Sequence, residues 1–207
     1  EDFFEVLTSD IGTDLTHHKE ELEQFYLGGE ATWSLFYRND ILELLAHEVM
    51  EDLVRKIKKA LSAKQEKNRD AVFYLLHDAG FGGTTTAKMI AWKMHKEHPT
   101  LILKDYEYGK IRPRIQNLYD MHTRKGILVI ADESRFSTSD LEKLEQELGA
   151  TDRAFALLIV KRLKGKAGLG SENARKLNSI PRDVVEALQS RFKEHSHLEQ
   201  AVLDEKD

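Results

Sequence analysis

The sequence predicts an α/β fold with a mostly parallel sheet, preceded by an N-terminal helical segment. Three observations carry that expectation. Four short apolar runs, AVFYLL (71–76), LILK (101–104), GILVIA (126–131) and FALLIV (155–160), are separated by helical segments, the pattern of strands buried on both faces of a parallel sheet. A glycine-rich stretch, HDAGFGGTTTAKMIAW (77–92), joins the first run to a helix. An acid pair, Asp132-Glu133, closes the third run.

Taken in order, the residues from Phe3 to about Leu27 mix charge with scattered apolar positions, and THHKEELEQFY reads as a short helix stopped by Gly28-Gly29. Ile41, Leu44, Leu45, Val49, Leu53 and Ile57 recur at helical spacing, which predicts an amphipathic helix from about Asn39 to Leu61. SAKQEKNRD is a polar connector. Behind the glycine loop, Thr85 to about Lys96 has helical apolar spacing, and STSDLEKLEQELGA opens on hydroxyls and an acid and stops at Gly149. ARKLNSI is a weakly apolar candidate for a fifth strand, and Pro181 fits the first turn of a helix through RDVVEALQSRFKEH. Two domains are expected: residues 1–66, a helical segment packing on the core, and residues 67–207, the core with its C-terminal helix.

The 207 residues, 41% hydrophobic, suffice for one substantial core. A net charge of −5 does not suit nucleic-acid binding over the whole surface. Two local basic stretches, VRKIKKALSAKQEKNR (54–69) and VKRLKGKAG, leave nucleic acid open as a minor reading; acids flank the first, which favours a solvated helix face. The absence of cysteine excludes disulfides, thiolate metal sites and a cysteine nucleophile. No stretch approaches the ~18 apolar residues that span a bilayer, and no secretory leader is visible, so a cytoplasmic protein is expected. The chain opens on Glu1 and ends in LDEKD, and is expected to be a domain of a larger protein. The paired His17-His18 cannot face one way on a helix, His95 and His98 lack the acid of H-E-x-x-H, and no G-x-S-x-G occurs.

A loop that holds phosphate needs a delivering strand, glycines that free backbone N–H groups, and a helix start aimed at the anion. Residues 71–96 supply all three. Against the pattern G-x-x-x-x-G-K-[ST], His77 stands at the first glycine, Gly82 at the second, Gly83 at the lysine and Thr84 at the hydroxyl, while Gly80 is extra. The acid pair suits phosphoryl chemistry: Asp132 to help hold Mg2+, Glu133 to polarise an attacking water. Lys161 and Arg162 follow the fourth run and bring positive charge to the same sheet edge.

LLHDAGFGGTTTAKMIAW resembles the nucleotide-binding segment of the STAND class of P-loop NTPases, above all the P-loop domain of the sterile-alpha-motif-containing antiviral proteins of animals and of bacterial anti-phage relatives. FYLGGEATWSLFY looks like the segment these carry ahead of the ATPase core, so the likeness covers roughly residues 25–192. It implies a three-layer αβα fold, binding of ATP or another nucleoside triphosphate with Mg2+, and a switch governing oligomerisation of a larger defence protein. By position, Gly80, Phe81, Gly82, Gly83, Thr84 and Thr85 would wrap the phosphates and Thr84 would reach Mg2+. Asp132 would be the Walker B acid, Glu133 the catalytic base and Arg162 the sensor. Arg38 is a loose match to a basic residue of the upstream segment, and Trp33, Phe36 and Tyr37 are expected in the core rather than on a base.

The missing lysine removes a charge-assisted hydrogen bond worth about 1.5–3 kcal/mol. Lys88, Lys161, Arg162, the KGKAGLG loop (164–170) and an arginine from a neighbouring subunit are candidate replacements. The leading expectation is therefore a nucleotide switch that hydrolyses slowly. An interaction module that kept the fold but lost the nucleotide is the rival.

Overall fold

The computed structural model describes residues 3–38, 41, 48–62, 71–121, 125–151, 153–163, 173–177, 182, 185, 186, 189 and 190. Two compact units divide the chain, Glu1–Ser9 with Glu48–Asn178, and Asp10–His47 with Ser179–Asp207. In chain order the elements are β1 (Phe4–Leu7), α1 (His18–Tyr26), α2 (Trp33–Tyr37), α3 (Glu48–Ser62), β2 (Val72–His77), α4 (Gly83–Met94), β3 (Thr100–Leu103), α5 (Ile111–Met121), β4 (Ile127–Asp132), α6 (Thr138–Gly149), β5 (Phe155–Arg162) and β6 (Ala174–Leu177). Of these elements, α1 and α2 lie in the second unit.

The first unit is built on a six-stranded sheet in the order β1-β3-β4-β5-β2-β6. Every neighbouring pair is parallel except β1 with β3. Ile127 to Ala131 and Phe155 to Val160 are buried throughout, because β4 and β5 sit at the centre and carry helices on both sides. That is why these strands read as unbroken apolar runs rather than alternating ones. On one face Val129, Ala131, Leu157 and Ile159 pack with Ile111 and Ile115 of α5 and Leu141, Leu144 and Leu148 of α6. The other face is covered by α3 and α4, which touch β4 and β5 and bury Leu53, Ile57, Ile90 and Met94 completely. The result is an α/β fold of three layers.

The structure differs from the sequence reading at FEVL and adds a helix, α5, that the sequence does not announce. FEVL forms a strand within what the sequence reads as a helical segment; Phe4 pairs with Leu103 and Leu7 with Thr100, closing the edge of β3. Phe3 and Phe4 also join the α5–α6 side of the core, and edge pairing plus aromatic burial outweighs the absence of a clean strand pattern. Of the helix expected from about Asn39 to Leu61, Glu48–Ser62 is helical as α3, while residues 39, 40 and 42–47 lie outside the described residues. Both β1 and α3 belong to the unit that holds the sheet. Helix α5 has no strong sequence signal, since it is polar and carries Pro113. A proline is tolerated there because first-turn N–H groups have no intrahelical partner. ARKL does form a strand, weakly apolar because it is an edge strand with a single buried residue. Of the C-terminal helix, residues 182, 185, 186, 189 and 190 are helical, and the remainder of that expectation, Pro181 included, falls outside the described residues. Among the described residues no helix is long and apolar enough to cross a membrane.

Helix α5 is held at its start by a buried acid. Glu147 on α6 accepts from the N–H of Arg112 at 2.9 Å, from the N–H of Gly109 at 3.3 Å and from the Tyr106 hydroxyl at 3.3 Å. Burial, and then the charge of Glu147, push the Tyr106 phenol up to about 12. Replacing Glu147 by alanine leaves these donors unmet, so we expect a stability loss of about 1–3 kcal/mol in urea unfolding with an unchanged m-value. In the same variant the Tyr106 phenol should titrate closer to ~10 by tyrosinate absorbance.

Candidate functional site

Parallel pairing decides which side chains meet at the carboxyl edge of the sheet. In the β4-β5-β2 array Asp132 aligns with Val160, Val160 with Leu75, and Arg162 with His77. Register partners, and residues two apart on one strand, project from the same face. Asp132, Arg162 and His77 therefore share one face of the sheet, and Lys161 falls on the other. The sequence reads Lys161 and Arg162 as a joint patch of positive charge; the strand splits them. Lys161 Nζ lies 2.8 Å from Glu133 Oε1, while Arg162 is exposed.

The glycine loop fills the space between β2 and α4. Its turn is closed by the N–H of Phe81 donating to the Asp78 carbonyl at 3.3 Å. Gly80 and Gly82 adopt φ of 79° and 71°, and an added Cβ at either would meet nothing within 4 Å. The left-handed backbone explains the glycines, and both face open space. Gly82 caps α4 without a side-chain hydrogen bond, and the first helical bond runs from the Thr86 N–H to the Gly82 carbonyl at 2.8 Å. The N–H groups of Gly83, Thr84 and Thr85 thus have no carbonyl within the helix, and the positive end of the helix dipole lies at the same point.

Two of the candidate residues are directly joined. Thr84 Oγ1 donates to Asp132 Oδ2 at 3.0 Å, and Asp132 Oδ1 accepts from the Ser134 N–H at 2.9 Å. A hydroxyl and an oriented carboxylate are the hard oxygen donors that Mg2+ prefers, so these two residues fit such an ion. Glu133 starts the short 3-10 turn Glu133–Arg135 immediately beyond.

Trp33, Phe36, Tyr37 and Arg38 lie in the second unit. There Phe36 is buried, Trp33 is half-buried with its ring 5.6 Å from that of Phe36, and Tyr37 is 49% exposed, so the expected burial of all three holds for Phe36 alone in full. The KGKAGLG loop lies outside the described residues. In the basic stretch of α3, Arg55 and Lys56 reach Asp52, and Lys58 Nζ is 2.6 Å from Glu97. His95 and His98 place Nδ1 at 2.7 Å and 3.1 Å from the Trp92 and Gly126 carbonyls, and burial pushes both imidazoles down.

One residue at the edge has no role in the sequence reading. His77, the last residue of β2, lays its ring against the Cα of Gly83: a Cβ at Gly83 would come within 2.2 Å of His77 Cδ2. The sequence does carry a signal for it, since His77 and Gly83 occupy the glycine and lysine positions of the phosphate-loop pattern with the large and small residues exchanged.

A parallel sheet with a glycine loop between strand and helix, and a hydroxyl-carboxylate pair at its carboxyl edge, defines a nucleotide-binding NTPase domain of the P-loop class. The chain belongs to the family described as Novel STAND NTPase 5, which matches residues 23–173. It is similar to the human Sterile alpha motif domain-containing protein 9-like, with 28% identity over an alignment of 129 residues and coverage of 55% of this chain and 8% of that protein. This chain thus spans a small part of that relative's length. Among solved structures it is similar to C. elegans PCH-2, with 13% identity, a TM-score of 0.47 and coverage of 73% of this chain and 48% of that one. A second similar structure is Rhizobiales Trip13, with 12% identity, a TM-score of 0.35 and coverage of 77% and 60%.

The Thr84–Asp132 bond ties α4 to β4 without any ligand. We expect Thr84→Ala and Asp132→Ala each to lower the stability of the ligand-free protein, with a coupling of about 0.5–1.5 kcal/mol in a double-mutant cycle read by urea unfolding.

Proposed function

We propose that this domain binds a nucleoside triphosphate, ATP in the first instance, together with Mg2+, and hydrolyses it slowly. The exchange of bound nucleotide would act as a switch on the oligomerisation of a larger signalling or antiviral defence protein. The single observation that carries the reading is the hydrogen bond between Thr84 and Asp132, beside a loop whose N–H groups and open glycines leave room for phosphate. Membership of a STAND NTPase family supports it, and the antiviral role rests on the resemblance stated above.

The residues divide the work as follows. The amides of Gly80, Phe81, Gly82, Gly83, Thr84 and Thr85 donate to phosphate oxygens and fix the chain of phosphates at the start of α4. Thr84 and Asp132 would hold Mg2+, which when bound neutralises charge on the phosphates. Glu133 orients a water and takes its proton; its pairing with Lys161 means that this acid must first leave a cation, which suits a slow turnover. Arg162, exposed at the end of β5, is the sensor candidate for the terminal phosphate.

Differential scanning fluorimetry tests binding. At a free concentration 100 times Kd, Mg2+·ATP should stabilise the native chain by about 2.7 kcal/mol and raise its melting temperature. Thr84→Ala and Asp132→Ala should fold and lose that rise. In Glu133→Gln binding should persist while phosphate release falls at least about a hundredfold, the low end of what a general base contributes. A native chain whose melting temperature ignores Mg2+·ATP would instead favour the interaction-module reading.

A further inference from the structure

We propose that His77 takes the place of the missing lysine and supplies the side-chain contact to the phosphates. The inference rests on the nucleotide reading above and names a residue of that same site.

The argument begins with space. Lysine at the position of Gly83 would leave the helix start through its Cβ, and that point lies 2.2, 2.4 and 2.5 Å from Cδ2, Cγ and Nε2 of His77. Real Cβ contacts do not come so close, so the imidazole and a side chain at residue 83 exclude one another. The phosphate-loop pattern puts glycine at the position of His77 and lysine at that of Gly83. Here the large residue grows from the strand end and the glycine stands at the helix start. The two exchanges are reciprocal, and the volume is filled from the opposite side.

The orientation of the ring is defined as well. His77 Nδ1 is 3.0 Å from the Asp78 carbonyl oxygen. A carbonyl only accepts, so Nδ1 carries a proton, and Nε2, the ring nitrogen beside Gly83, is the atom left for a ligand. To donate to a phosphate oxygen Nε2 must carry a proton as well, and the imidazolium so formed would stand where an ammonium usually does. The charged groups around it are consistent with that role. Arg162 is its register partner on β5, Lys161 is engaged by Glu133, and Lys176 on β6 is 3.5 Å from the Asp78 carboxylate.

Isothermal titration with Mg2+·ATP on four proteins tests the proposal: the native chain, His77→Gly, Gly83→Lys and the double variant, which recreates the common pattern. Losing one charge-assisted contact should weaken His77→Gly about tenfold or more. Gly83→Lys alone should bind no better than the native chain and melt at a lower temperature, because the new stem meets the ring. The double variant should recover both affinity and melting temperature, and it keeps the test alive should Gly83→Lys fail to fold. Native-like affinity in His77→Gly, or a double variant no better than His77→Gly, overturns the proposal while leaving nucleotide binding intact. A native chain that does not bind at all instead removes the nucleotide reading on which it rests.

Discussion

The pairing of β5 with both β4 and β2 is the constraint on which the site depends. Strand β5 contributes no loop residue of its own to the glycine turn, yet its parallel register with each neighbour brings the ends of β4 and β2 level at the carboxyl edge. Asp132 and His77, 55 positions apart by their numbers, share a face because of it. A shift of register by one residue would turn Asp132 away from Thr84 and send its side chain into the α5–α6 side of the core. The complete burial of Phe155 through Val160 protects against such a slip, since every alternative places a large apolar side chain in the wrong layer. Stability of the sheet and geometry of the site are thus one property.

Much of this was legible in the residues. The four apolar runs marked β2 to β5 because central parallel strands bury both faces, and the glycine loop marked its own place because left-handed backbone at Gly80 and Gly82 demands glycine. Thr84 and Asp132 could be named from their offsets within the loop and at the end of a strand. Where the reading fell short, the reason was tertiary. FEVL becomes a strand because the edge of β3 takes a partner, and nothing within four residues announces that. Helix α5 depends on Glu147, 35 residues away, for its first N–H bond. The meeting of Lys161 with Glu133 follows from alternation along β5, which could have been anticipated once the strand was placed.

The absence of lysine changes meaning when the loop is seen in three dimensions. In one dimension Gly83 looks like a deletion of function. In the fold it is the clearance that allows the His77 ring to stand at the helix start, where the strand end, the loop amides and the α4 dipole converge. On the proposed reading the site is organised around backbone donors, with the His77 ring in place of a flexible stem, and with its base candidate tied to a cation. Those features suit retention of nucleotide more than rapid turnover.

The central claim is that the backbone of the glycine loop holds the phosphates. Amide hydrogen exchange resolved to residues 80–85, with and without saturating Mg2+·ATP, measures it most directly. The account predicts marked slowing at Gly82, Gly83, Thr84 and Thr85, whose N–H groups lack a carbonyl partner within the helix and would gain a phosphate oxygen as acceptor. Unchanged exchange at these amides in a chain that demonstrably binds the nucleotide would contradict it, and would place the phosphates elsewhere on the molecule.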